Sequence, residues 1–143
     1  MNVATILKQK GGKIVSIGPN TTLQEAANLL ASERIGATLV LDGQDKILGI
    51  VSERDIVRAI AARGAGCLSM AVASVMTAPV KTCRASDTID QLMAQMTSGR
   101  FRHVPVVEDG RLAGIVSIGD VVKFRIAETE LEVTAIRDYI AAH

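Results

Sequence analysis

The chain has 143 residues, 48% of them apolar and 22% charged, with a net charge of +1. This composition builds an aliphatic globular core and excludes a disordered polypeptide. Near-neutral charge and only three aromatic residues, Phe101, Phe124 and Tyr139, leave little to neutralise phosphates or stack on bases, so no nucleic-acid partner is expected.

In chain order, residues 2–9 read as a short helix ended by Gly11-Gly12, within an N-terminal segment spanning 1–12. Lys8, Lys10 and Lys13 interrupt any apolar run there, so no signal peptide is expected. No stretch approaches the roughly 20 apolar residues of a membrane span. A soluble, cytoplasmic protein without a membrane partner follows as the expectation. Cys67 and Cys83 lie in no metal-type or redox-type spacing and read as ordinary thiols.

A first unit spans residues 13–63. Ile14 to Ile17 is a β-like run closed by Gly18-Pro19-Asn20. Thr21 offers an N-cap with Gln24 as a capping box. Leu23, Ala26, Ala27 and Leu30 then recur at helical spacing. Ile35-Gly36 breaks the helix, Thr38–Leu41 is a strand, Asp42-Gly43 a turn, and Ile47–Val51 a second strand. Asp55 starts a helix carrying Ile56, Val57 and Ile60.

Residues 64–79 read as a linker containing Val75-Met76-Thr77-Ala78-Pro79. A second unit, 80–126, repeats the first. Val80–Thr82 is its opening strand and Asp87 its helix cap. Ile89, Leu92, Met93 and Met96 match Leu23, Ala26, Ala27 and Leu30 at a constant offset. Methionines at this spacing read as core. Val104–Val107 and Leu112–Val116 are strands around an Asp109-Gly110 turn. Pro105 inside a strand predicts an irregular beginning to it. Residues 127–143 carry a terminal helix over 127–141, with Val133, Ile136, Tyr139 and Ile140 on one apolar face that needs a partner. Each unit is roughly β-α-β-β-α and too small to bury its elements well, so the two are expected to share one core.

Two near-copies of one phrase close the units: Gly49-Ile50-Val51-Ser52-Glu53-Arg54-Asp55 and Gly114-Ile115-Val116-Ser117-Ile118-Gly119-Asp120. Each joins a strand end, a hydroxyl, a carboxylate and a fresh helix N-terminus. That set suits binding a polar small molecule better than it suits catalysis. His103 and His143 are the only histidines, and neither has a partner at a catalytic spacing. There is no Rossmann-type or Walker-type glycine loop and no metal-type cluster. Hence no enzyme, no catalytic residue and no metal is expected.

A pair of units ending in Gly-apolar-apolar-Ser-x-x-Asp and joined through Val-Met-Thr closely resembles the tandem cystathionine-β-synthase (CBS) domain pair. Ser52 to Arg58, Arg102-His103-Val104-Pro105-Val106 and Ser117 to Lys123 resemble its small stand-alone bacterial members. The resemblance implies an α/β (α+β) fold: two CBS units about a pseudo-twofold axis in one disc-like module, with flanking helices. It further implies a regulatory, ligand-sensing role. Adenine nucleotides (AMP, ADP, ATP or an NAD-type ligand) would bind in clefts between the units and alter a partner protein not named by the sequence. A homodimer is expected. The competing reading is a structural or docking module with no physiological nucleotide.

On this reading Asp120 accepts both hydroxyls of a ribose, since a carboxylate has two acceptor oxygens, and Ser117 adds a hydroxyl contact. Capping of its own helix is the alternative use of Asp120, and one carboxylate can do both. Ser52 and Asp55 are the first-unit equivalents. The resemblance places phosphate contacts at Arg102 and His103, whose counterparts Gly36 and Ala37 can admit a ligand closely but bring no charge. Arg54 is a further phosphate candidate, with a solvated surface arginine as the alternative. Lys123 and Arg125 are weaker ones. The adenine ring is expected near Val15 and Val80.

Overall fold

The structure, a computed structural model, describes residues 1–142. His143 lies outside the described residues. The fold is mixed α/β. In order the elements are α1 (Val3–Lys10), β1 (Ser16–Ile17), α2 (Leu23–Glu33), β2 (Ala37–Leu41), β3 (Ile47–Ser52) and α3 (Glu53–Arg63). After short 3-10 turns at Ala65–Ser69 and Val72–Ser74 come α4 (Ile89–Gly99), β4 (His103–Glu108), β5 (Arg111–Ser117) and α5 (Ile118–Ala142). The chain divides into two compact units: Lys13–Lys81, and Met1–Gly12 joined with the chain from Thr82 onward. They are called the first and second repeat below.

In the first repeat, β2 is the middle strand, parallel to β1 and antiparallel to β3. Thr38 on β2 is the one buried polar residue among the described residues, and its hydroxyl donates to the Val15 carbonyl at 3.0 Å. Burial of an unpaired hydroxyl would be costly, so this bond is what permits a threonine there. Leu23, Ala26 and Leu30 of α2 pack with Val40, Val51, Ile56 and Val72. Thr22, not Thr21, caps α2, with Glu25 completing the capping box. The expected cap is thus one residue too early.

The second repeat uses the same plan. Ile89, Leu92 and Met96 of α4 pack with Val104, Val106, Val116 and Val121. Thr88 with Gln91 forms its capping box; Asp87 instead accepts from the Arg84 N–H at 2.8 Å. The opening strand expected at Val80–Thr82 is reduced to one bridge, Cys83 to Val106. In the first repeat both Ser16–Leu39 and Ile17–Val40 pair. Pro105 stands where Leu39 stands in the first repeat. It accepts from the Cys83 N–H at 3.0 Å but has no N–H to extend the ladder. The proline therefore shortens its neighbour rather than its own strand, whose irregularity lies at Val106/Val107.

Each repeat has its own hydrophobic cluster, so the single shared core expected from the sequence is not needed. Each cluster is completed by a segment that the sequence places outside the repeat, the 64–79 linker in one and the 1–12 N-terminal helix segment in the other. Residues 70–77 complete the first repeat and residues 1–8 complete the second, in matching positions. Val72 N–H donates to Thr21 O at 2.8 Å, and Val3 N–H donates to Asp87 O at 2.9 Å. Leu23 N–H donates to Met70 O, and Ile89 N–H donates to Met1 O. Val72 and Val3 are both fully buried. Met76 fills the space above Gly49 and Leu7 the space above Gly114, where a Cβ would collide with either side chain.

The two segments then diverge. Thr77 pairs with Ile50 in both directions. The N-terminal copy stays helical through Lys10 and ends at Gly11, whose φ of 90° suits glycine. The terminal helix expected over 127–141 is not a separate element, because α5 runs unbroken from Ile118. Its apolar residues Ile136, Tyr139 and Ile140 are exposed.

Candidate functional site

Both copies of the repeated phrase become the same local structure: a strand ending on serine, followed by a helix whose third residue is aspartate. Helices α3 and α5 start at Glu53 and Ile118 rather than at the aspartates. Ser52 caps α3; its Oγ accepts from the Asp55 N–H, and Asp55 Oδ2 accepts the Ser52 N–H at 2.9 Å and its hydroxyl at 3.1 Å. Ser117 and Asp120 repeat the reciprocal pair at 3.1 and 2.9 Å. Each box satisfies helix N-terminal donors and fixes the carboxylate against its backbone.

The backbone brings further candidates to each turn. In the first repeat Ala37 pairs with Ser52, and the Gly36 carbonyl accepts from the Glu53 N–H at 3.0 Å. In the second, His103 pairs with Ser117, and the Arg102 carbonyl accepts from the Ile118 N–H at 2.7 Å. Gly36-Ala37 and Arg102-His103 thus flank equivalent serines. Ala37 is buried, Arg102 exposed and His103 half-buried. Arg54 is exposed on the first turn of α3 and lines a depression of about 310 Å³ with Glu53, Val57 and Arg58. Val15 lies just before β1, half-buried, its carbonyl held by Thr38. Val80 is half-buried in irregular chain near the end of the first repeat. Lys123 is exposed, and Arg125 is engaged by Asp90 and Glu128.

Two residues that sequence reasoning passed over complete the turns. Thr77 Oγ1 donates to Asp55 Oδ1 at 3.1 Å. Lys10 Nζ donates to Asp120 Oδ2 at 2.7 Å and to the Ile115 carbonyl at 2.7 Å. A signal for both existed: Met1-Asn2-Val3-Ala4-Thr5 echoes Met70-Ala71-Val72-Ala73-Ser74. Burial raises the Asp120 pKa, but the hydrogen bond from Lys10, the Ser117 N–H, the Lys10 charge and the Ser117 hydroxyl together outweigh it. The carboxyl therefore lies below its ordinary value and is ionised at neutral pH.

The hairpin end of the second repeat holds a separate depression of about 510 Å³ lined by Cys83, Asp87, Glu108 and Asp109, among others. Burial, then the charges of Asp87 and Glu108, push the Cys83 thiol up to about 12. It stays protonated at neutral pH and is a poor nucleophile. No three metal-ligating side chains gather among the described residues, and none of their helices is long and apolar enough to cross a membrane.

A duplicated α/β scaffold with a serine–aspartate turn at the C-terminal end of a strand in each copy defines a two-unit repeat module. The CBS domain family matches residues 9–62 and 72–127, and the chain belongs to that family. The crystal structure of the CBS-domain protein ATU1752 from Agrobacterium tumefaciens is 51% identical, with a TM-score of 0.85 over 87% of this chain and 92% of that one. The Pyrobaculum aerophilum CBS domain protein PAE2072, solved with AMP, is 29% identical, with a TM-score of 0.74 over 84% of this chain and 89% of that one. The CBS pair of protein MJ0100, solved with 5′-methylthioadenosine and S-adenosylmethionine, is 26% identical, with a TM-score of 0.77 over 87% and 98%. Among curated relatives, this chain spans 66% of a 17.7 kDa protein of Acidianus ambivalens and 24% of a larger Arabidopsis thaliana CBS-domain protein.

Proposed function

We propose that this chain is a regulatory module that senses an adenine nucleotide, AMP, ADP, ATP or an NAD-type ligand, and alters a partner protein in the cytoplasm. The observation that carries this reading is the pair of aspartates, each oriented by reciprocal bonds with its own serine at a strand-to-helix turn. In the second repeat the Lys10 ammonium and the Ser117 N–H both donate to Asp120 Oδ2. A carboxylate has about four lone-pair sites, so Oδ1 can accept a ribose hydroxyl while the capping bonds persist. Ser117, Asp120, Ser52 and Asp55 bind ribose; Arg102, His103 and Arg54 meet phosphate; Val15, Val80, Gly36 and Ala37 border the base. AMP, methylthioadenosine and S-adenosylmethionine, the ligands of the two neighbours, share the adenosine ribose. The general character of CBS pairs as regulatory modules supports a role without turnover.

Calorimetric titration of AMP, ATP and NADH into the whole protein tests the reading. Micromolar binding of one of them is expected, weakened roughly a hundredfold by Asp120→Ala as charge-assisted hydrogen bonds to the diol are lost. The second reading, a dimerising or docking module, is favoured by the exposed apolar residues Leu131, Ile136, Tyr139 and Ile140 on α5. Absence of binding by all three nucleotides would select it.

A further inference from the structure

The two turns are built alike but are closed by different donors. In the first repeat two groups of Thr77 serve two acceptors: its N–H donates to the Ile50 carbonyl at 2.9 Å, and its hydroxyl to Asp55 at 3.1 Å. In the second repeat the equivalent acceptors are the Ile115 carbonyl and Asp120. One ammonium, Lys10 Nζ, serves both at 2.7 Å. A neutral N–H and O–H have been exchanged for a positive charge at the same place. The surroundings differ in the same direction, since Arg102 and His103 flank Ser117 where Gly36 and Ala37 flank Ser52.

The electrostatic consequence is direct. The hydrogen-bond donors to the Asp55 carboxylate, Ser52 and Thr77, are neutral, and the cation next to it in the chain, Arg54, is exposed. Asp120 is neutralised locally by Lys10, and Arg102 adds a further cation beside the same turn. Lys10 is also positioned to share its ammonium: two of its three N–H donors are used, and its side chain is one-third exposed. A small pivot lets it keep Asp120 and meet an incoming anion.

We propose that Lys10 sets the charge selectivity of the second repeat, so that the Asp120 turn takes a ribose bearing phosphate in preference to an uncharged adenosine derivative. This inference rests on the nucleotide-sensing reading above. It names a specificity-determining residue from outside the repeated phrases, supplied by the N-terminal segment. It also explains why an N-terminal helix extends past the point where its counterpart turns into a strand-like pairing: the extension delivers Lys10.

The test is titration of AMP and of adenosine into the full chain carrying Asp55→Ala, which silences the first repeat, with and without Lys10→Met. Loss of Lys10 is expected to weaken AMP about tenfold, the effect of one charge-assisted contact, and to leave adenosine unchanged or tighter. Lys10→Arg should restore AMP. An equal loss of both ligands, or no loss of AMP, overturns the proposal while leaving nucleotide sensing intact. Failure of the unmodified protein to bind either ligand overturns both. Should Lys10→Met fold poorly, salt provides a second reading in the Lys10-containing protein. AMP affinity must fall with ionic strength while adenosine affinity holds, and parallel curves refute the charge selectivity.

Discussion

The first and second repeats reach the same end by different covalent routes. The first is completed by residues that directly follow its last helix. The second is completed by the N-terminus of the chain, far away in sequence. The bonds made by residues 70–73 and 1–4 are nevertheless paired one for one, and the difference grows only beyond them, at Thr77 and Lys10. Backbone hydrogen bonding and a buried valine fix the shared part. Side-chain chemistry is then free to vary at the edge of the site, which is where a repeat protein can make two copies of one turn unequal.

The largest expected effect breaks this symmetry in the core. Ile6 is 3% exposed, whereas its counterpart Val75 is only partly buried. Ile6→Ala should cost about 3 kcal/mol and Val75→Ala about 1 kcal/mol, since truncation of a fully buried side chain adds a cavity to the lost transfer energy. Urea denaturation of the two variants measures the difference. Equal losses would mean that the N-terminal segment is not a full part of the second repeat.

A smaller contrast lies at the paired glycines. A Cβ at Gly49 would come within 2.5 Å of Met76 Sδ and 3.0 Å of the Thr77 carbonyl, which is held by backbone pairing. At Gly114 it would meet only the Leu7 side chain, at 2.7 Å. Gly49→Ala should therefore destabilise by about 2 kcal/mol and Gly114→Ala by about 1 kcal/mol, because a side-chain tip yields more easily than backbone. Thermal melts of both variants decide the order.

The smallest effect sharpens the comparison of the sites. The folded Asp120 carboxyl lies below its usual 3.8. Its stabilisation is therefore complete above the unfolded value and is lost as pH falls through the folded one. Both partners are partly solvated, so the Lys10–Asp120 pair is worth less than about 1 kcal/mol. Lys10→Met should shrink the acid-side fall in stability below pH 4. Denaturation midpoints of the variant and the unmodified protein, measured across that pH range, decide it.

Much of this was legible in the chain itself. The duplication of Gly-x-x-Ser-x-x-Asp, the aligned apolar positions of α2 and α4, and the paired hairpins all follow from local periodicity and turn chemistry. These are short-range properties, so they survive in a one-dimensional reading. Helix starts were misplaced by one to three residues, because several hydroxyls and carboxylates compete to cap and only backbone geometry selects among them. Pro105 was read for its own strand, while its missing N–H acts on the chain beside it.

By itself the sequence determined that two like α/β units exist, where each turn lies, and that each carries a serine and an aspartate. Tertiary structure decided what completes each unit and what each carboxylate touches. Residues 1–8 belong with a repeat that begins far downstream, and no local pattern encodes that pairing. The identity of the donor to Asp120 depends on where a helix happens to end in space. Lys10 could not be distinguished from Lys8 or Lys13 until folding set its ammonium beside the carboxylate.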